Sequence, residues 1–424
     1  LIRSIKISLD PVHFGHRISE RMAEIGNSIY YHELYDRPEI VLFTIDCSHK
    51  NSEREIMEAI KKASFGIPYL PYLINGFLRR TPEKNHGLSL AVWASPEIEK
   101  FCSELESILT IKGEPFRKLR DDKNRLYIPL MPYPGLLDSE VIIRHAENRK
   151  MNPLTRLISF GRKRPAYKIR EFVLPAESFR IVLSDDGGFL KTYDLVLKRW
   201  TDRNDIYRSK ESFGQFRRIR GYESFKQRYS GADDCFVISD LHLGHKAIIG
   251  GAARPYYPGD SKKMDEILIR NWNNRIKKSD TVWYLGDLTY NLDFDTCNAY
   301  LSQLNGEIVF ISGNHDACMA GCPEKLMVSY SGREYLLIHD PKFRPEDHSG
   351  WMIHGHVHNS RIADYPFIDF KKRTINTCCE LTGYHPVSLR DINRIIDMFE
   401  SGKITGERYL LYEELPGLNQ KSND

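Results

Sequence analysis

The stretch Trp351–His358, WMIHGHVH, sets His354, His356 and His358 at alternate positions behind a short apolar run. Such a run reads as a buried strand. Three imidazoles seldom sit there unless metal, hydrogen-bond partners or chemistry occupies them. Working outward, the same grammar recurs upstream in CFVISDLH (235–242), TVWYLGDL (281–288), EIVFISGNHD (307–316) and EYLLIHDP (334–341). Each is apolar for four or five residues and then stops in a polar cluster.

The intervening segments change period. SKKMDEILIRNWNNRIKK (261–278) carries Met264, Ile267, Leu268, Trp272 and Ile276 at helical spacing, with Asp260 or Ser261 available as N-cap. DFDTCNAYLSQLNG (293–306) predicts a second helix, with Tyr300, Leu301 and Leu304 on one stripe and Asn305-Gly306 as its stop. Alternating strands and helices define an α/β layered domain whose loops gather at the carboxyl edge of a sheet.

The strand ends supply Asp240 and His242, then Asp287, then Asn314 with His315 and Asp316, then His339, then His356 and His358. Neighbouring strands lie about 5 Å apart, so residues distant in sequence can converge at such an edge. Carboxylate, amide oxygen and imidazole together suit Mn, Fe, Zn, Co or Ni better than Ca or Mg. The supply exceeds the four ligands of a structural zinc. It favours two ions about 3.5–4 Å apart sharing a carboxylate, an arrangement that serves phosphoryl chemistry.

In order, SDLHLGH, LGD, SGNHD, LIHD and HGHVH resemble the signature blocks of the calcineurin-like metallophosphoesterases, over about residues 234–400. The resemblance implies a two-sheet αββα sandwich. It implies one metal held by Asp240, His242, Asp287 and His358, and another held by Asp287, Asn314, His339 and His356. A metal-bridging hydroxide would attack the phosphorus. His315 would contact a phosphate oxygen or protonate the leaving group, with Asp316 orienting it, and His354 would stand behind the ligands. His245, Arg254 and Asn359 are expected substrate contacts; His348 and His385 are expected to be ordinary polar residues. Manganese is the expected metal. A metallo-β-lactamase site is excluded, because no H-x-H-x-D-H cluster is present.

The remainder of the chain differs in charge. Residues 1–231 hold 40 Lys+Arg against 30 Asp+Glu, net +10, and residues 232–424 hold 21 against 27, net −6. Residues 1–200 mix strand-like runs (EIVLFTID, LSLAVWAS, RLYIPLMPY, YDLVLKRW) with helical ones (SEREIMEAIKKA, SPEIEKFCSELESILT), which predicts a basic α+β domain. Its order faintly resembles the two-histidine phosphoesterases (2'-5' RNA ligase-like), yet neither H-x-T/S motif is present. Residues 201–232 read as a charged connector and 233–424 as the metallophosphoesterase domain. Basic, aromatic segments such as FGRKRPAYKIR (160–170) and FGQFRRIRGY (213–222) suggest contact with RNA or DNA.

No run reaches the roughly 18 apolar residues of a membrane span, and eight scattered cysteines lack CxxC pairs. A soluble, cytoplasmic protein with reduced thiols is expected. Because residue 1 is Leu, a trimmed natural start is also expected, so a missing targeting segment says little. The expected activity is hydrolysis of a nucleotide or nucleic-acid phosphodiester. A phosphomonoesterase and a catalytically silent nucleic-acid-binding or assembly module are the alternatives.

Overall fold

The computed structural model describes residues 3–28, 38–47, 52–79, 88–112, 115–119, 125–131, 172–186, 188–202, 209–222, 235–316, 319 and 322–417. The basic stretch 160–170 lies outside them. The chain divides into two compact units, Leu1–Phe216 and Arg217–Asp424. Among the described residues no helix is long and apolar enough to cross a membrane.

The first unit contains β1 (Arg3–Leu9), α1 (Gly15–Ser28), β2 (Ile40–Cys47), α2 (Ser52–Ala63), β3 (Leu70–Arg79), β4 (Leu88–Ala94) and α3 (Pro96–Lys112). It continues through β5 (Phe116–Lys118), β6 (Leu126–Met131), β7 (Val173–Ser178), β8 (Arg180–Asp185), β9 (Gly188–Asp194) and β10 (Arg199–Thr201). Helix α4 (Lys210–Arg220) runs through the division between the units. One sheet has the order β10-β9-β8-β1-β2-β5 and the other β6-β4-β3-β7, with antiparallel pairing throughout. This is the α+β unit expected, with one local correction. YDLVLKRW reads as a continuous strand but is the hairpin between β9 and β10. Asp194 Oδ1 accepts from the backbone N–H groups of Val196 and Leu197 at 3.0 and 2.9 Å, and Lys198 takes φ 54°. The aspartate offers the backbone a turn that hydrophobic pattern alone does not reveal.

The second unit contains β11 (Cys235–Ile238), α5 (Ile248–Gly251), α6 (Ser261–Arg275), β12 (Thr281–Tyr284), α7 (Phe294–Leu301), β13 (Glu307–Phe310), β14 (Lys325–Tyr330) and β15 (Arg333–Ile338). It ends with β16 (Trp351–His354), β17 (Ile368–Asp369), β18 (Thr374–Asn376), β19 (Val387–Ser388), α8 (Leu389–Glu400) and β20 (Arg408–Tyr409). Helix α6 starts where Asp260 accepts from Lys263 N–H, and buries Met264, Ile267, Leu268 and Trp272 against Phe236, Val282 and Tyr284. Helix α7, capped by Asp293, stops at Leu301, short of Asn305-Gly306. There the chain tightens into turns, with Gln303 N–H donating to Tyr300 O and Leu304 N–H to Leu301 O at 3.0 Å each.

All five apolar runs form strands, but on two sheets rather than along one edge. β11, β12 and β13 pair in parallel in the order β13-β12-β11-β19, and β15, β16 and β18 pair in parallel within β14-β15-β16-β18-β17-β20. The sheets meet beyond their carboxyl ends. Ser239 bridges to Cys378, Ser239 N–H donates to Thr377 O at 3.0 Å, and Thr377 N–H donates to His354 O at 2.8 Å. This is the two-sheet α/β sandwich expected, and it turns two rows of strand ends toward each other.

Candidate metal centre

The loops leaving these strands are held in an uncommon backbone conformation. Asp240, His242, Asp287, His356 and His358 have φ of 58°, 50°, 58°, 72° and 46°. Non-glycine residues in this left-handed region cost of order 1–3 kcal/mol each and persist only where their surroundings enforce them. Here the enforcement is visible. Asp240 N–H donates to Gly286 O at 2.9 Å and His242 N–H to Asp287 O at 3.1 Å. His356 N–H donates to the Asp240 carboxylate at 3.0 and 3.2 Å, and His315 N–H to Asp287 Oδ1 at 2.9 Å. Two glycines permit the crowding: a Cβ on Gly313 would strike the Asp287 carboxylate, and one on Gly355 would strike Asp240 and Ser239.

The donor atoms gather in three overlapping groups, each within 4.8 Å: Asp240, His242 and Asp287; Asp287, His339 and His356; Asp240, His358 and Cys378. His242 Nε2 lies 3.6 Å from Asp287 Oδ2, and His358 Nε2 lies 3.7 Å from Asp240 Oδ1. His339 Nε2 lies 3.3 Å from Asp287 Oδ2. The amide oxygen of Asn314 completes the cluster, 3.0 Å from His339 Nε2 and 2.8 Å from His356 Nδ1.

Two features fit divalent metal. Both ring nitrogens of His242 are buried without a hydrogen-bond partner among the described residues, an arrangement that costs about 1–3 kcal/mol unless a ligand satisfies it. Secondly, His339 and His358 have Nδ1 against acceptors, the Leu285 carbonyl at 2.7 Å and the Glu380 carboxylate at 3.1 Å. Those bonds hold a ring proton on Nδ1, so that it is the Nε2 lone pair that would face the cluster once a metal displaced the other proton.

The electrostatics describe a crowd of donors. Burial, reinforced by the nearby charges of His358 and Arg254, drives the His242 ring down to about 2. Burial also pulls on His339, but its bond to Asp287 and the charges of Asp240 and Asp287 outweigh that and raise it to about 9. For Asp287, burial is overcome by His339 and His242, which hold its carboxyl below the usual carboxylate range.

The remaining expected residues divide. His315 lies at the rim, its ring 4.3 Å from Tyr290 and 5.8 Å from His242. His245 also stacks on Tyr290, at 4.1 Å, and lies 5.4 Å from His242. Arg254, expected to meet substrate, does not. It is wholly buried and its guanidinium is committed to Glu380 and to the carbonyls of Asp240 and Leu241. Asn359 is also buried and donates to Ala252 O at 2.9 Å, so it ties the loop down instead of facing substrate.

Asp316 needs a correction too: its carboxylate accepts from the backbone N–H groups of Asp287 (2.6 Å), Gly313 (2.9 Å) and Leu288 (3.0 Å). It braces the loops carrying Asp287 and Asn314 rather than the His315 ring. His354 Nδ1 meets Gly355 O at 3.0 Å and its ring packs edge-on against Tyr365. His385 is buried against Pro386 O.

Sequence reasoning passed over Glu380, Cys378 and Tyr290. The first two follow β18, a sixth strand end whose run, TIN, is too short to show the apolar grammar. Cys378 Sγ donates to Asp240 Oδ2 at 3.2 Å. Tyr290, 42% exposed, touches two imidazoles, His245 and His315, that the sequence does not bring together.

Comparison with known proteins agrees with this architecture. The profile of the calcineurin-like phosphoesterases matches residues 235–423. The C-terminal unit therefore belongs to the calcineurin-like phosphoesterase family, a class of metal-dependent phosphoesterases. The chain is 39% identical over 172 residues to an uncharacterized protein of Methanocaldococcus jannaschii, MJ1445, a match covering 40% of this chain and 93% of that one. Among solved structures, the protein of unknown function AQ665 from Aquifex aeolicus is 25% identical, with a TM-score of 0.31, covering 39% of this chain and all of that one. A mutant Vps29 of Entamoeba histolytica is 23% identical, with a TM-score of 0.20, covering 30% of this chain and 64% of that one.

Proposed function

We propose that the C-terminal unit hydrolyses phosphodiesters at a two-metal centre. Asp240, His242, Asp287 and His358 would hold one ion, and Asp287, Asn314, His339 and His356 the other. The observation that carries this reading is the membership of Asp287 in both donor groups, Asp240–His242–Asp287 and Asp287–His339–His356. A metal pair supplies Lewis acidity toward phosphoryl oxygens and acidifies water. The protein's own contribution is position. The left-handed turns aim the donors inward, Asp316 braces the Asp287 loop, and His315 at the rim is placed to meet a phosphate oxygen or hand a proton to the leaving group.

Manganese suits the mixed carboxylate, amide and imidazole donors. Diester is placed ahead of monoester because residues 1–231 carry net +10, which favours a polyanionic substrate such as RNA or DNA. The segment 213–222 contributes less to that charge than its composition suggests. Arg217 is buried and donates to Pro255 O, and Arg220 pairs with Glu413 at 2.9 Å.

The test is Mn²⁺-dependent turnover of matched generic aryl phosphodiester and phosphomonoester substrates, with Asp287→Asn as control. Metal-dependent diester preference supports the proposal, and monoester preference replaces it with a phosphatase. Absence of turnover by protein with bound metal overturns the enzymatic reading. If turnover is found, oligonucleotide affinity that ignores salt would overturn the nucleic-acid part.

A further inference from the structure

Behind the cluster lies a charged pair that the proposed chemistry does not use. Arg254 and Glu380 have side chains 0% and 1% exposed, and both the Nε and Nη2 atoms of Arg254 approach Glu380 Oε1, at 2.8 and 2.7 Å. Two buried charges in this setting repay their desolvation only with good geometry and further hydrogen bonds. The shortest of those bonds run to the segments carrying Asp240 and His358, besides a longer contact of Arg254 Nη1 with Met264 Sδ at 3.5 Å. Arg254 Nη2 donates to Asp240 O and Nη1 to Leu241 O, each at 2.7 Å, which clamps the left-handed turn at Asp240. Glu380 accepts from His358 Nδ1 with both oxygens at 3.1 Å.

The other half of the cluster is backed more weakly: the carboxylate behind His356, that of Asp340, stands 3.6 Å from Nε2, beyond hydrogen-bond distance. His339 Nδ1 meets a neutral carbonyl, the His356 side chain is 35% exposed against 17% for His358, and Asn314 is exposed. A carboxylate behind a histidine fixes the ring and strengthens its lone pair as a donor more than a carbonyl does. We infer that Glu380, clamped by Arg254, is a positioning residue that makes the Asp240–His242–His358 position the tighter of two unequal metal positions and the one filled first. The inference rests on the two-metal reading above.

Titration of the metal-free two-unit chain with Mn²⁺, by calorimetry and by metal analysis after gel filtration, tests it without recourse to activity. The wild-type protein should show two binding events of different affinity. Glu380→Gln should weaken the tighter event about 10- to 100-fold, the range for partners one bond behind a ligand, and leave the weaker one unchanged. Glu380→Asp, which keeps the charge but withdraws it by one methylene, should lie between, and it carries the test alone should the glutamine variant fail to fold. His339→Asn should remove the weaker event only. Two equal events in the wild type would overturn the inference, as would Glu380 variants that keep the tighter affinity or lose the weaker one. Either result would leave the two-metal reading standing, whereas a wild-type chain that binds no divalent ion would sink both.

Discussion

The two units spend their buried polar residues differently. In the N-terminal unit every described strand pairing is antiparallel, so successive strand ends alternate between opposite edges. Its buried charges serve the chain itself. Asp194 holds the β9–β10 turn, accepts from Ser212 and lies 3.9 Å from Arg180. In the C-terminal unit, β11–β13 and β15, β16 and β18 run parallel within their sheets, so their carboxyl ends lie on one side. Asp240, His242, Asp287 and His339 are therefore buried against one another, an arrangement that costs energy until a cation fills it. Parallel pairing concentrates donors, and antiparallel pairing disperses them.

The harshest way to break that contrast is Asp287→Asn. It should lower affinity at both metal positions by more than the roughly 100-fold expected for a partner outside the ligand shell, with turnover falling in step. Loss of one position with the other intact, by metal analysis, would show that Asp287 is not shared. Next comes His315→Ala, which should keep the metal content and slow turnover by about 10²–10⁴. Lost metal in that variant would move His315 into the ligand set.

Asp194→Asn sharpens the contrast from the other side. It should cost about 1–3 kcal/mol of stability, measured by denaturant unfolding, and leave metal content unchanged. The smallest effect concerns acid. Burial and the charge of Arg275 push His385 from 6.5 down to about 3, so below pH 6.5 the unfolded chain binds a proton that the fold refuses. Its contribution to stability is complete above about pH 6.5 and falls as pH drops toward 3, by up to about 1.4 kcal/mol per pH unit. Melting of metal-free protein between pH 7.5 and 5 should show this fall together with that of His242, and His385→Gln should make it shallower without abolishing it.

Much of this was legible in the chain. Short apolar runs ending in Asp, Asn or His became strands with those residues at their ends, because strand period and burial are written within a few neighbouring residues. Asp260 and Asp293 cap the predicted helices for the same local reason. Arg254 and Asn359 misled because exposure is not local: a guanidinium in a loop looks available until Glu380, distant in sequence, is folded against it. Glu380 itself was hidden behind a three-residue strand.

Composition and periodicity thus determine the α/β elements and the kinds of donor, since both are properties of short windows. The tertiary structure alone decides which donors meet. Asp240 and His356 are 116 residues apart and joined by two hydrogen bonds at 3.0 and 3.2 Å. Their meeting depends on the register of two sheets and on backbone turns that only close packing can hold in the left-handed region.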